Sequence, residues 1–179
     1  MSEEILTGGD ELFFHPSVLE FFRSLINEWR SEKRVALLLG CTEHKPYSDS
    51  FMHRKVIRML ERHGLDSEVQ QYIIGEPLVA VPREWERRYP ASHYDFPPER
   101  MGEGGRRVFI ERLNLFFRKA VKMHDLFVVF APNHHREIIF ESIKGLASPA
   151  TVPYNLYKLP SLLEVLRKAV YEVRNIKGR

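Results

Sequence analysis

The sequence predicts an α/β protein, a three-layer α/β/α arrangement around a four-stranded parallel sheet. Three observations carry this. The apolar runs Val35-Ala36-Leu37-Leu38-Leu39 and Leu126-Phe127-Val128-Val129-Phe130 end abruptly at turn residues, as strands buried on both faces do. Longer stretches between such runs repeat their apolar residues at helical spacing. The two kinds of segment alternate, which is the pattern of parallel strands joined by helical crossovers.

The elements follow in order. Residues 1–14 carry Gly8-Gly9 and little pattern, and are expected as a flexible arm. A single α/β domain over 15–173 and a basic tail over 174–179 are expected after it. Pro16 suits the first turn of a helix, which Val18, Phe21, Phe22, Leu25, Ile26 and Trp29 carry to about residue 31. Strand one is Arg34 to Gly40. In the polar loop after it, Lys45-Pro46 biases the chain away from helix. Ser50 is placed to cap the next helix, whose inner face is Met52, Val56, Met59 and Leu60, and Gly64 is its stop. Strand two is Ser67 to Ile74, broken by Gly75-Glu76-Pro77. The long proline-rich stretch from Leu78 to Pro98 reads as a functional loop, with a short helix near Arg83 to Arg88. Gly102 to Gly105 reads as a flexible tip. Helix three, Arg106 to Met123, turns Phe109, Leu113, Phe116, Phe117 and Ala120 inward. Strand three is Leu126 to Phe130, and Asn133 is a candidate cap for the helix after it. Strand four is short, Thr151 to Tyr154, and Pro160 opens the last helix.

Composition narrows the function. The chain has 179 residues, 44% of them hydrophobic, enough for a sizeable core. A net charge of +3 permits a nucleic-acid partner without demanding one. A single cysteine excludes an intramolecular disulfide and a cysteine-rich zinc site. No apolar stretch approaches the roughly 20 residues that span a bilayer, so no membrane partner is expected. Met1-Ser2-Glu3-Glu4 lacks the basic start of a signal peptide, and a cytoplasmic protein is expected.

Open α/β sheets bind ligands at the carboxyl ends of their strands, which draws attention to the loop after strand one. Cys41 ends that strand. A cysteine beside cationic groups becomes a nucleophile, and Lys45 and His53 are near in sequence; otherwise Cys41 is a small buried residue. Tyr47 either stacks on a base or packs beneath the loop, and Ser50 either belongs to the site or only caps a helix. Glu84, His93, Tyr94 and Asp95 form a second cluster, as acid/base and binding groups or as a self-packed loop. His134-His135 suggests a metal pair, but adjacent residues point to different sides and spacing fixes no third ligand. No metal and no cofactor is therefore expected. Asn133 is a cap or a contact to a base edge. Arg54, Lys55 and Arg58, with Arg83, Arg87 and Arg88, would form a cationic rim for phosphates if the two segments meet.

The spacing Cys41-x3-Lys45-Pro46-Tyr47-x2-Ser50-x2-His53 resembles the signature of the archaeosine synthase family, archaeal proteins related to tRNA-guanine transglycosylases that act on a deazaguanine base in tRNA. A second segment, Val81-Pro82-Arg83-Glu84 followed by Tyr89-Pro90-Ala91-Ser92-His93-Tyr94-Asp95, looks like the same family. Gly40 departs from the pattern, which usually has proline there. The resemblance covers residues from about 35 to 98.

It implies a uracil-DNA-glycosylase-like sheet of order 2-1-3-4, with the loops Cys41 to Asp49 and Pro132 to His135 flanking a base. It implies an enzyme that adds an amine, lysine by family behaviour, to the nitrile of the deazaguanine base. Cys41 would then be the nucleophile, His53 a proton shuttle, and Lys45 the group that steadies the thiolate or an anion. Tyr47, Ser50, Glu84, His93, Tyr94, Asp95 and Asn133 would bind substrate. The partner would be tRNA or the free base. A transglycosylase-like or PUA-containing part would sit on a separate subunit, since this chain has no room for it. Two other readings stay open: a non-catalytic nucleobase- or tRNA-binding subunit, and a nucleobase N-glycosidase using Asp49 or Asp95.

Overall fold

The structure, a computed structural model, describes residues 3–177. In chain order the elements are β1 (Leu6–Thr7), a 3-10 turn at Asp10–Phe14, α1 (Pro16–Asn27), β2 (Val35–Gly40), α2 (Phe51–Arg62), β3 (Val69–Gly75), β4 (Val79–Pro82), β5 (Tyr94–Asp95), α3 (Glu103–Met123), β6 (Leu126–Phe130), α4 (Asn133–Ile143), β7 (Ala150–Thr151) and α5 (Leu159–Lys177). The main sheet runs β4-β3-β2-β6-β7. The neighbours β3, β2, β6 and β7 pair in parallel.

The sheet therefore departs from the four-stranded, all-parallel one expected. It has five strands, and β4 lies antiparallel on the outer side of β3. Val79–Pro82 read as loop because prolines bracket it, yet proline is compatible with the end of an edge strand. β7 is shorter than expected and starts one residue earlier, leaving Tyr154 outside it.

The period-two alternation of β2 divides the core. Ala36 and Leu38 face α1, α3 and α4, through Phe21, Leu25, Phe109, Leu113, Phe116, Ile138 and Ile139. Val35, Leu37 and Leu39 face α2 and α5, through Val56, Leu60, Leu162, Leu166 and Val170. Each fully buried side chain of this size contributes roughly 1.5–3 kcal/mol, so both faces of the sheet are firmly covered. Among the described residues no helix is long and apolar enough to cross a membrane.

The first residues are not a free arm over their described part. Leu6–Thr7 pairs in parallel with Tyr94–Asp95, and Leu12 and Phe13 are buried. The Asp10 carboxylate accepts hydrogen bonds from the backbone N–H groups of Gly102 (2.9 Å) and Gly105 (3.0 Å) at the start of α3. That fixes the glycines expected as a flexible tip. At the other end α5 continues to Lys177, and Arg174 pairs with Glu68. Residues 178–179 of the expected tail lie outside the described residues.

Candidate functional site

Parallel strands β3, β2 and β6 end side by side, with Gly40 paired to Ile74 and Leu39 to Phe130. The residues just past those ends converge. Cys41 is held by its backbone N–H on the Ile74 carbonyl, 2.9 Å away. Gly75 faces it so closely that a Cβ there would lie 2.5 Å from Sγ. Glu76, next along, is fully buried. His134 and His135 open α4 after Pro132, which occupies the N-cap position.

Four side chains meet at this point. The Cys41 Sγ lies 3.5 Å from His135 Nε2 and 3.7 Å from Glu76 Oε1. His135 Nε2 lies 2.9 Å from Glu76 Oε1, and His134 Nε2 is 2.7 Å from the other oxygen, Oε2. Burial alone would push the Glu76 carboxyl up; the hydrogen bonds from His134 and His135 outweigh it and hold Glu76 well below the usual carboxylate range. Burial likewise opposes a charge on His135, but the Cys41 sulfur and then Glu76 raise it to about 10.

Sequence reasoning missed Glu76 and His135. Glu76 read only as part of a strand break, and the two histidines were expected to point apart. Instead both rings reach one carboxylate, with centroids 4.7 Å apart. The signal was available in their positions: all three residues follow the carboxyl ends of strands, where ligands bind.

Cys41 opens onto a cavity of about 480 Å³, lined also by Thr42, Glu43, Lys45, Tyr94, Asp95, Phe96, Pro97, Pro98, Glu99 and Tyr154. That size suits a small organic ligand. The Lys45 Nζ donates to the Thr42 carbonyl (2.5 Å) and sits 4.5 Å from the centre of the Tyr94 ring. Its burial pushes its pKa below the ordinary lysine value.

The other expected site residues divide. Tyr94 and Asp95 line the cavity. Tyr47 does not stack outward: it is buried, and its hydroxyl is 2.7 Å from that of Tyr94. Ser50 caps α2, accepting from the His53 backbone N–H. His53 cannot shuttle protons to Cys41. Its Nε2 bonds the Gly40 carbonyl (2.9 Å), and its Nδ1 accepts from Arg83 (2.7 Å). Burial and the Arg83 charge push its pKa down to about 3. Glu84 stands apart from the cavity, accepting from Gln70 (2.7 Å) and pairing with Lys33. His93 packs beside Tyr89, 5.6 Å between ring centres, and does not line the cavity. Asn133 is exposed and is the first residue of α4, with Pro132 in the cap position expected for it.

Of the expected cationic rim, Arg83 is withdrawn, while Arg54, Arg58, Arg87 and Arg88 are exposed. The Arg83 guanidinium is spent on Gln71, His53 and Glu86. Arg88 lies over the Trp85 ring and bonds Ser24. Arg54 and Arg58 remain exposed on α2.

Comparison with known proteins supplies the relationship. Residues 18–155 match the family described as Domain of unknown function (DUF5591). The archaeosine synthase subunit alpha of Methanosarcina acetivorans is 38% identical over 93 residues, covering 51% of this chain and 15% of that protein. The subunit alpha of Thermoplasma acidophilum is 36% identical over 89 residues, covering 49% and 17%. The archaeosine synthase of Methanocaldococcus jannaschii is 31% identical over 130 residues, covering 69% and 21%. This chain thus spans about a fifth or less of the length of these relatives. The crystal structure of AF0587, a protein of unknown function, superposes with a TM-score of 0.62 at 20% identity, covering 84% of this chain and 49% of that one, a likeness of fold. The chain belongs to the DUF5591 family, and it is similar to a part of the archaeosine synthases.

Proposed function

We propose that this domain works in archaeosine formation in tRNA, adding an amine to the nitrile of a deazaguanine base, with lysine as the amine. The observation that carries the reading is the placement of Cys41, with His135 and Glu76 behind it, at the wall of an aromatic-lined cavity of about 480 Å³. The archaeosine synthase names of the relatives support it.

The chemistry is balanced as follows. The Cys41 sulfur, as a thiolate beside the protonated His135, adds to the nitrile carbon. The proton passes to the nitrile nitrogen, leaving a thioimidate. The amine adds to the same carbon, the carbon–sulfur bond breaks, and the thiolate is restored as the amidine product leaves. His135 takes the proton-transfer role first assigned to His53, because it alone of the two reaches the sulfur. Tyr94, Phe96 and Tyr154 would sandwich the base, and Asp95, with Glu43 and Glu99, would attract the cationic amine. The order β3-β2-β6-β7 supports a uracil-DNA-glycosylase-like arrangement, with the loops after β2 and β6 flanking the base.

The test is mass spectrometry of the protein with nitrile-bearing deazaguanine, free and in tRNA, with and without lysine. The expected result is a protein adduct on Cys41, or a lysine-bearing tRNA product, lost in Cys41→Ala. Product formed undiminished by Cys41→Ala would end the covalent route. Retained binding of base or tRNA without adduct or product would instead point to a domain that holds its ligand without reacting.

A further inference from the structure

The Cys41 cluster has a geometry that a proton relay does not need. In a relay the imidazole turns one nitrogen to the nucleophile and the other to the carboxylate. Here the same nitrogen, His135 Nε2, faces both the Cys41 sulfur and Glu76 Oε1. The other, Nδ1, is buried without a partner, in the space that a Cβ on Gly40 would enter at 3.0 Å. The three donor atoms converge on one point from three strand ends.

The two sulfur edges have the spacing of a coordination face, and the nitrogen–oxygen edge is shorter than one, at a hydrogen-bond distance. The triangle has edges of 2.9 Å (Nε2 to Oε1), 3.5 Å (Sγ to Nε2) and 3.7 Å (Sγ to Oε1). A tetrahedral zinc with ligands at about 2.3 Å (sulfur) and about 2.1 Å (nitrogen, oxygen) has sulfur edges of about 3.6 Å and a nitrogen–oxygen edge of about 3.4 Å. Thiolate, imidazole and carboxylate together favour zinc over magnesium or calcium, which take oxygen ligands. His134 Nε2, bonded to Oε2 at 2.7 Å, holds the carboxylate in position from behind, as outer partners of metal ligands do.

We propose that Cys41, Glu76 and His135 form a zinc(II) site of three protein ligands, bordering the 480 Å³ cavity that Cys41 lines. Binding displaces the His135 Nε2 proton to water and uses the ring with Nε2 unprotonated. Three protein ligands leave the fourth position for water or a small donor molecule. The inference needs only these side chains and stands apart from the tRNA reading. It carries one consequence for that reading: a sulfur bound to zinc is not free to add to a nitrile, so the Cys41 adduct forms on metal-free protein only.

The test uses the full chain, stripped with a chelator and then titrated with zinc or cobalt(II) alone. One zinc per chain is expected, with a thiolate-to-cobalt charge-transfer band in the cobalt form. Cys41→Ser abolishes that band, and His134→Ala weakens zinc binding by about 10–100-fold. On the wild-type protein, which needs no variant to fold, zinc slows alkylation of Cys41 and chelator restores it. Zinc bound equally by wild type and Cys41→Ser, or alkylation unaffected by zinc, overturns the site. No tRNA enters these assays, so their failure is separate from a failure of the modification reading.

Discussion

At the residue scale, the His53 imidazole lies between the Gly40 carbonyl and the Arg83 guanidinium. Arg83 donates to its Nδ1, so its own Nε2–H donates to Gly40. Burial and the adjacent positive charge hold its pKa near 3. His124, buried with Nδ1 on the Lys33 carbonyl, is pushed by burial to about 4. Both stand below the ordinary value of 6.5. Their contribution to stability is therefore complete above about pH 6.5 and is lost as pH falls toward 3 to 4, because the unfolded chain takes up protons that the fold refuses. Each group adds about 1.4 kcal/mol per pH unit inside its window. Urea unfolding followed from pH 7 to 5 is expected to show this slope, and His53→Gln, which keeps a donor and an acceptor, to flatten it by about one proton. An unchanged slope in the variant would count against a buried neutral His53.

The same residue shows what could and could not be read from sequence. Cys41 was legible because an apolar run ends on it. Closeness in the chain and a shared motif point to His53 as its partner. The true neighbours, at 76 and 135, are joined to Cys41 only by strand order, and nothing in the local spacing brings three strand ends together.

At the element scale, α1, α2, α3, β2 and β6 were legible because their apolar periods are long or unbroken. β1, β4 and β5 were not, since each is two to four residues long and is made by pairing rather than by pattern. The Asp10 carboxylate completes α3 from 92 residues away, supplying acceptors and negative charge where the first N–H groups lack partners. Asp10→Ala is expected to cost about 1 kcal/mol, read as a shift in urea midpoint. Had residues 1–14 been a free arm, the change would have been silent.

At the scale of the whole molecule, the candidate site lies at one end of the sheet and much of the aromatic packing lies elsewhere. The chain has two tryptophans, and they touch each other. Trp29 and Trp85 stand edge to face with centroids 5.3 Å apart, and the Trp29 indole N–H donates to the Tyr72 hydroxyl at 3.0 Å. Their surroundings come from α1, β3 and the turn after β4, so they report on the closing of the sheet against its first helix. Neither lines the cavity beside Cys41. Intrinsic tryptophan emission is expected to shift sharply on unfolding in urea and to stay level when a nucleobase is titrated in. A quench on adding base would place ligand against this indole pair instead of the cavity. The protein thus carries an optical gauge of its own folding that stands away from the cavity beside Cys41, whose occupancy has to be watched through another signal.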